Sequence, residues 1–350
     1  MDLLPLKQSL ETIAVLKQTI KSERALAELK GVLKIIPNKD ILLNTLPLQE
    51  AKASSEIENI VTTNDALYKS KLDGSMDVNN KEVHSYVRAL FEGYTQIKEN
   101  GFLSNKTIVK MQAILEGNDA GFRTQPGTVL KNNMGETVYS PPQKKEEILD
   151  LMRNLEQYIN DNNICDLNPL IKMAIIHHRF ESIHPFYDGN GRTGRIINVL
   201  YLVLNSLLYM PVLYLSRYII KHKKDYYSLL QSTRDGNNWE PWVIFILKSI
   251  EVTAIQTVNI IDDIHKLMDI YKERIKTNHP GVYSHDLIQS LFNHPYSKIE
   301  YLEKDLNISR QTASKYLNIL AQAGLLKKIK HSKTFYFINV PLLDLLSEVK

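Results

Sequence analysis

The sequence predicts a mainly α-helical protein, with one small β-hairpin before its middle and a small mixed unit at its C-terminal end. Three observations carry that prediction. Over most of the chain, apolar residues recur at three- and four-residue steps, the spacing of one buried helical face. β-prone runs bounded by turn residues are few: Thr128-Val129-Leu130 with Thr137-Val138-Tyr139, then Leu325 to Ile329 with Thr334 to Ile338. Asn278-His279-Pro280-Gly281 breaks the chain after a long helical stretch and marks the clearest domain boundary. The expected divisions are a helical N-terminal region over 1–100, a central core over 101–278 and a C-terminal unit over 279–350.

At 350 residues the chain is long enough for two or three domains. Its 43% hydrophobic and 23% charged residues are the balance of a globular protein. A net charge of +4 does not by itself argue for nucleic acid. The single cysteine, Cys165, excludes an intrachain disulfide and fits a reducing, cytoplasmic compartment. Met1 to Leu10 holds no long apolar core and no cleavage-like small residues, so no secretory signal is expected. No run of eighteen apolar residues occurs, so no membrane span is expected.

In the N-terminal region, Val83, Val87, Leu90, Phe91, Tyr94 and Ile97 mark one buried helical face. Lys71 to Lys81 reads as a polar surface connection, closed by Asn79 and Asn80 before that helix. Upstream, in Ser54-Ser55-Glu56-Ile57-Glu58-Asn59, Ser54 and Glu58 stand one helical turn apart and share a face. Lys106 to Glu116 is helical, and from Gly121 the pattern changes to Gly, Pro, Asn and Thr. The two β-prone runs around Asn132-Asn133-Met134-Gly135 then form a hairpin, ended by Pro141 and Pro142. Ile148, Leu151, Met152, Leu155, Tyr158 and Ile159 define the next amphipathic helix. Asn168-Pro169 starts another, with Pro at the first helical position. Ile196 to Leu208, broken by Asn198 and Asn205, reads as a buried helix. His177, His178, Trp239 and Trp242 read as packing. A long helix is expected from about Glu251 to Lys276.

Between two apolar helices lies His184-Pro185-Phe186-Tyr187-Asp188-Gly189-Asn190-Gly191-Arg192-Thr193-Gly194-Arg195. Gly189, Asn190 and Gly191 tolerate left-handed backbone angles, so their N–H groups can converge into an anion-binding nest. A helix starting near Asn190 adds its positive end, which attracts phosphate. Arg192 and Arg195, three apart, leave one face of the first turn, and two guanidiniums beside a nest suit a polyphosphate. Asp188 offers a hard oxygen to Mg²⁺ beside that phosphate. His184 is the group here that can take a proton near neutral pH. No second His or Cys stands at ligand spacing, so a zinc site is not expected.

These twelve residues resemble the signature of the Fic family, His-x-Phe-x-Asp/Glu-Gly-Asn-Gly-Arg-x-x-Arg, at every defined position. The resemblance spans about 50–260. It implies transfer of a nucleoside monophosphate, usually AMP from ATP, to a protein hydroxyl. By position it makes His184 the general base, Asp188 the Mg²⁺ ligand, and Gly189, Asn190 and Gly191 the cradle for the α- and β-phosphates. Arg192 and Arg195 resemble clamps on the outer phosphates, with Thr193 and Gly194 in the same nucleotide-binding stretch. Phe186 would point inward and pin the loop. Tyr226 and Tyr227 are similar to tyrosines that border adenine and ribose in the family. Ser54-x-x-x-Glu58-Asn59 resembles the family's inhibitory motif, whose glutamate pairs with the second arginine, here Arg195. The hairpin near 128–139 resembles the flap that holds a target segment by strand addition.

Beyond the chain break, Ile299 to Leu306 is one short helix, Asn307-Ile308-Ser309 a turn with Ser309 as N-cap, and Arg310 to Ala323 a second helix ended by Gly324. With the last two β-prone runs flanking a basic turn, the unit over 299–338 is similar to winged helix-turn-helix domains. Ala313, Tyr316, Leu317 and Leu320 would face inward. Arg310, Gln311, Ser314, Lys315 and Asn318 would face outward, as side chains able to contact phosphate and base edges do. Residues 281–350 hold nine Lys/Arg against six Asp/Glu, a surplus of only three. DNA binding and a protein-contact or dimerisation role both stay open, as does a homodimer. Two further readings also stay open: removal of AMP or transfer from another nucleotide, and a transcription regulator that senses nucleotide without turning it over.

Overall fold

The computed structural model describes residues 1–36, 39–64, 66–67, 78–131, 134–331 and 334–347. Three sequence expectations fall outside them: the polar connection at 71–77, the hairpin-turn residues Asn132 and Asn133, and Ser332 and Lys333 of the C-terminal basic turn.

The N-terminal region opens with α1 (Ile13–Ile35), capped by the Thr12 hydroxyl, which accepts from the Val15 N–H at 3.2 Å. It continues with α2 (Asp40–Ile57) and α3 (Val78–Asn100). The last starts earlier than expected. Asn79 and Asn80 lie in its first turn, and Asn80 is buried, its Oδ1 accepting from Thr62 Oγ1 at 2.6 Å. α4 (Asn105–Glu116) is capped by Ser104 and ends at Gly117 in the left-handed region.

The hairpin pairs β1 (Leu130–Lys131) with β2 (Thr137–Tyr139), Leu130 opposite Tyr139 and Lys131 opposite Thr137. It is shorter than the β-prone runs. Thr128 leaves the ladder because Gln143 takes over its backbone, donating from Nε2 to the Thr128 carbonyl at 2.9 Å and accepting from the Gly127 N–H at 2.7 Å.

α5 (Lys145–Asn160), α6 (Pro169–Ile183) and α7 (Asn190–Leu204) follow. Every residue from Leu170 to Ile183 is buried, as is nearly all of α7, so these two helices form the centre of the molecule. α8 (Ser216–Lys221) and α9 (Lys223–Gly236) lead to α10 (Trp239–Asn278). That helix begins well before Glu251, because Pro241 sits in the first turn, where its missing N–H has no intrahelical partner to lose. By length and composition α10 could cross a membrane, with an 18-residue window of mean hydropathy 1.5. A search for unbroken apolar runs does not see this window, because a few polar residues dilute it. Here 61% of that window is buried within the fold, where the helix packs on α1 and α6.

The C-terminal unit contains α11 (His285–Asn293), β3 (Tyr296–Ser297), α12 (Ile299–Leu306), α13 (Arg310–Gln322), β4 (Lys327–His331), β5 (Thr334–Ile338) and α14 (Val340–Ser347). Its antiparallel sheet has the order β3-β5-β4. Ala313, Leu317 and Leu320 of α13 are buried, while Arg310, Gln311 and Lys315 are exposed. The unit is joined to α10 through Tyr271, whose hydroxyl donates to the Leu325 carbonyl at 2.6 Å and lies 2.9 Å from Asn339 Oδ1.

Candidate active site

The loop between α6 and α7 is shaped by its own side chains. α6 ends at His184, which adopts φ 49° and donates its N–H to the Phe180 carbonyl at 2.9 Å. The Asn190 side chain then holds the turn from within. Its Oδ1 accepts from the Phe186 N–H and its Nδ2 donates to the Phe186 carbonyl, both at 2.9 Å. Phe186 is fully buried between Phe122 and Phe180, with ring centroids 5.2 and 6.3 Å away. Gly189, at φ 77°, caps α7.

A residue absent from the sequence reading braces the outside of the loop. Arg123 is fully buried; its Nε donates to the His184 carbonyl at 2.8 Å and its Nη2 to the carbonyls of Ile183 and Pro142. Gln112 adds a bond to the Asp188 carbonyl at 3.2 Å, and the Tyr187 hydroxyl accepts from the Thr124 and Gln125 N–H groups.

This loop opens onto a cavity of about 920 Å³. His184, Gly191 and Arg195 form one wall, Glu58 and Asn59 a second, Tyr226 and Tyr227 a third, and the hairpin residues Val129, Leu130, Lys131 and Val138 the rim. The volume suits a nucleotide. Burial lowers the His184 pKa to about 4, helped by the positive charge of Arg234 and Arg123, so its imidazole is neutral at neutral pH. Tyr226 is buried, with its hydroxyl 2.9 Å from His177 Nε2, while Tyr227 is partly exposed and packs edge-on against it. His177 and His178 are core residues. Burial pushes both down to about 3, and they pack on Trp242 and Trp239.

The two signature arginines have different surroundings. Arg195 is 1% exposed and is held by one turn of α2. Its Nε donates to Ser54 Oγ at 2.7 Å, and its Nη2 to the Ser54 carbonyl at 2.9 Å and to Glu58 Oε1 at 2.7 Å. Burial works against charge on Arg195, and Glu58 together with Tyr226, Glu181 and Tyr227 more than offsets it. Asn59 takes φ 65°, ends that turn, and accepts from Lys223 Nζ at 2.9 Å. A Gly or Asn suits this position because the backbone is left-handed there.

Arg192 does not line the cavity. It is drawn aside by two carboxylates, Glu116 at 2.8 Å from Nη2 and Glu82 on Nη1, contributed by α4 and α3. Thr193 and Gly194 lie buried in the helix behind the loop, and the Thr193 N–H bonds the Gly189 carbonyl. The acids explain the glycines. A Cβ at Gly191 would come within 2.2 Å of Glu58 Oε1, and one at Gly189 within 2.3 Å of Glu116 Oε1. Glu82, Glu116, Gln112 and Arg123 carry no spacing signal, because their partners lie tens of residues away in the chain.

Asp188 is exposed, and its Oδ1 accepts from the Gly189 N–H at 2.7 Å. One exposed hard carboxylate beside a helix N-terminus would fit Mg²⁺ if phosphate bound there, since Mg²⁺ takes most of its ligands from phosphate and water. Among the described residues no group of three His, Cys, Asp or Glu is arranged to hold a metal without such help.

Three consecutive family models match the chain: "Fic/DOC family N-terminal" over 16–95, "Fic/DOC family" over 102–202, and "Protein adenylyltransferase SoFic-like, C-terminal domain" over 267–342. The chain belongs to the Fic/DOC family. It is 28% identical over 194 residues to "Protein adenylyltransferase Fic" of Drosophila erecta, covering 53% of this chain and 37% of that protein. The protein of the same name from Aedes aegypti is 27% identical over 196 residues, with 53% and 36% covered. The chain thus spans little more than a third of the length of these curated relatives. Its fold is that of a Fic family protein from Desulfovibrio desulfuricans G20, with TM-score 0.58, 19% identity, and 96% and 98% of the two chains covered. A fragment of Fic-1 from C. elegans superposes with TM-score 0.55 at 20% identity, over 70% and 73%.

Proposed function

We propose that this chain transfers AMP from ATP to a hydroxyl side chain of a protein, and that Glu58 restrains it. One observation carries the reading: the neutral His184 imidazole, the Gly191 backbone and the Arg195 guanidinium open onto one nucleotide-sized cavity, with Glu58 seated on the guanidinium. The names of the relatives support the same activity.

The backbone N–H groups at the start of α7 receive the α- and β-phosphates, and Arg195 the outer one. His184 takes the proton from a Ser, Thr or Tyr hydroxyl. The freed oxygen attacks the α-phosphorus, the bond to the β-phosphate oxygen breaks, and pyrophosphate leaves. Mg²⁺ held at Asp188 would supply neutralising charge for the phosphate oxygens. Arg192, tied to Glu82 and Glu116, acts in this reading as a brace of the loop. Tyr227 and Tyr226 border the nucleoside, and the target segment docks against the rim of the hairpin, where Val129 and Val138 are exposed.

ATP labelled at the α-phosphate tests this directly. Label should enter protein from the α-position and not from the γ-position, and intact mass should rise by one AMP on any modified chain. Transfer of γ-label would indicate a kinase reaction and sink the reading. His184→Ala should abolish labelling and leave ATP binding largely intact, since the phosphate contacts come from other groups.

A further inference from the structure

The hydrogen-bond acceptors of Arg195 among the described residues all sit on one turn of α2: Ser54 Oγ, the Ser54 carbonyl and Glu58 Oε1. Loss of Glu58 Oε1 leaves Arg195 only the two Ser54 acceptors, and withdrawal of the whole turn removes all three together. It leaves a guanidinium that is 1% exposed in the present arrangement. Five N–H donors in a fixed fork cannot all be satisfied by one terminal phosphate, and a buried guanidinium left short of acceptors is costly.

A second acceptor waits in the same cavity wall. Glu181, on the last turn of α6, is 6% exposed, and its Oε1 has no hydrogen-bond partner. A buried carboxyl oxygen without a donor calls for a partner that arrives in another state. Its reach extends to the backbone beside the arginine. A Cβ at Gly194 would stand 2.8 Å from Glu181 Oε1, so the glycine keeps this approach open.

We propose that Glu181 is a positioning residue: when the 54–58 turn releases Arg195, the Glu181 carboxylate receives one edge of the guanidinium and aims the other at the outer phosphate of the nucleotide. The proposal rests on the reading that Arg195 binds nucleotide phosphate. The charges agree with it. Burial raises Glu181 to about 7, Arg195 opposes that rise, and Glu58 adds to it. Departure of Glu58 thus favours the ionised carboxylate at the moment Arg195 needs it.

The test uses the full chain carrying Glu58→Gly, alone and with Glu181→Gln, and titrates ATP and AMP by calorimetry. With Glu181→Gln, ATP binding should weaken about tenfold, the scale of one charge-assisted contact. AMP, which lacks the outer phosphates, should bind within about twofold of the Glu58→Gly chain. In labelling assays KM for ATP should rise with kcat little changed. Glu181→Asp should restore part of ATP's advantage over AMP. Equal weakening of ATP and AMP, or no weakening of either, would overturn the proposal; so would Glu181→Asp behaving like Glu181→Gln. If the Glu58→Gly chain shows no preference for ATP over AMP, the proposal falls together with phosphate binding by Arg195. Loss of protein labelling with the ATP preference intact would instead count against the transfer reading alone.

Discussion

At the scale of single residues, the proposed restraint rests on Glu58. Its carboxylate occupies Arg195 at 2.7 Å. Removing one charge-assisted contact worth roughly 1.5–3 kcal/mol corresponds to a gain of about ten- to a hundredfold in rate. Glu58→Gly should therefore raise adenylyl transfer by that factor at matched ATP and Mg²⁺. Glu58→Gln should raise it less, since the amide still obstructs the guanidinium. Arg195→Ala should not mimic Glu58→Gly, because it removes the anchor of the restraint and the phosphate clamp at once. Equal labelling by the unaltered and Glu58→Gly chains would make Glu58 an ordinary helix-face residue. Asp188→Ala should weaken Mg²⁺-dependent nucleotide binding as well as rate, and titration of binding against Mg²⁺ checks it.

At the scale of elements, the Arg192 contacts tie α3, α4 and α7 together behind the loop. Glu116 is the more enclosed of its two carboxylates, with 10% side-chain exposure against 28% for Glu82. Stripping a buried guanidinium of a partner costs about 3–5 kcal/mol. Glu116→Ala should thus lower chemical-denaturation stability by most of that amount, and Glu82→Ala by clearly less. A larger loss from Glu82→Ala would contradict the order of burial. This element-level knot was not legible in the sequence. Apolar periodicity exposed the helices, and the turn residues around Met134 exposed the hairpin. The signature loop could be read because its parts lie within twelve residues. Glu82 and Arg192 are 110 positions apart, and Arg123 meets His184 across 61, so no local pattern links them. The early start of α10 was missed for a related reason: a Pro in a first turn looks like a helix breaker until the cap is located.

At the scale of the whole molecule, buried His177 and His178 and half-buried His184 bear on the response to acid. His177, His178 and His184 have folded pKa values of about 3, 3 and 4, depressed from the ordinary 6.5. Such groups contribute stability that is fully present above the unfolded value and lost as pH falls through the folded one. Glu181, raised to about 7, works the other way between its ordinary 4.5 and that value, because the fold favours its protonated form. Burial also raises Glu50 and Glu116, which act in the same direction as Glu181. Stability should fall on acidification most steeply below about pH 4.5, where these three carboxyls no longer oppose the histidines. Denaturant midpoints across pH 3–8 measure this, and His178→Gln should flatten the acid limb if the chain folds. The C-terminal unit offers a separate test. Exposed Arg310 and Lys315 on α13 should give modest affinity for duplex DNA that drops steeply with salt. Arg310 already pairs with Glu300 at 2.9 Å, which moderates that affinity. Undetectable binding at low salt would mark the unit as a protein-contact module.

The hold on Arg195 has one more consequence, because among the described residues its hydrogen bonds all come from a single helical turn that ends at a left-handed Asn59. A restraint of that size is an equilibrium between two populations. A ten- to hundredfold restraint means that about 1–10% of molecules have the arginine free at any instant. On the proposed function, the resting chain then has a floor of activity, and the gain on Glu58→Gly is the reciprocal of that floor. Any cellular partner that touches the turn from Ser54 to Asn59 can raise output by no more than this ratio, whatever its affinity.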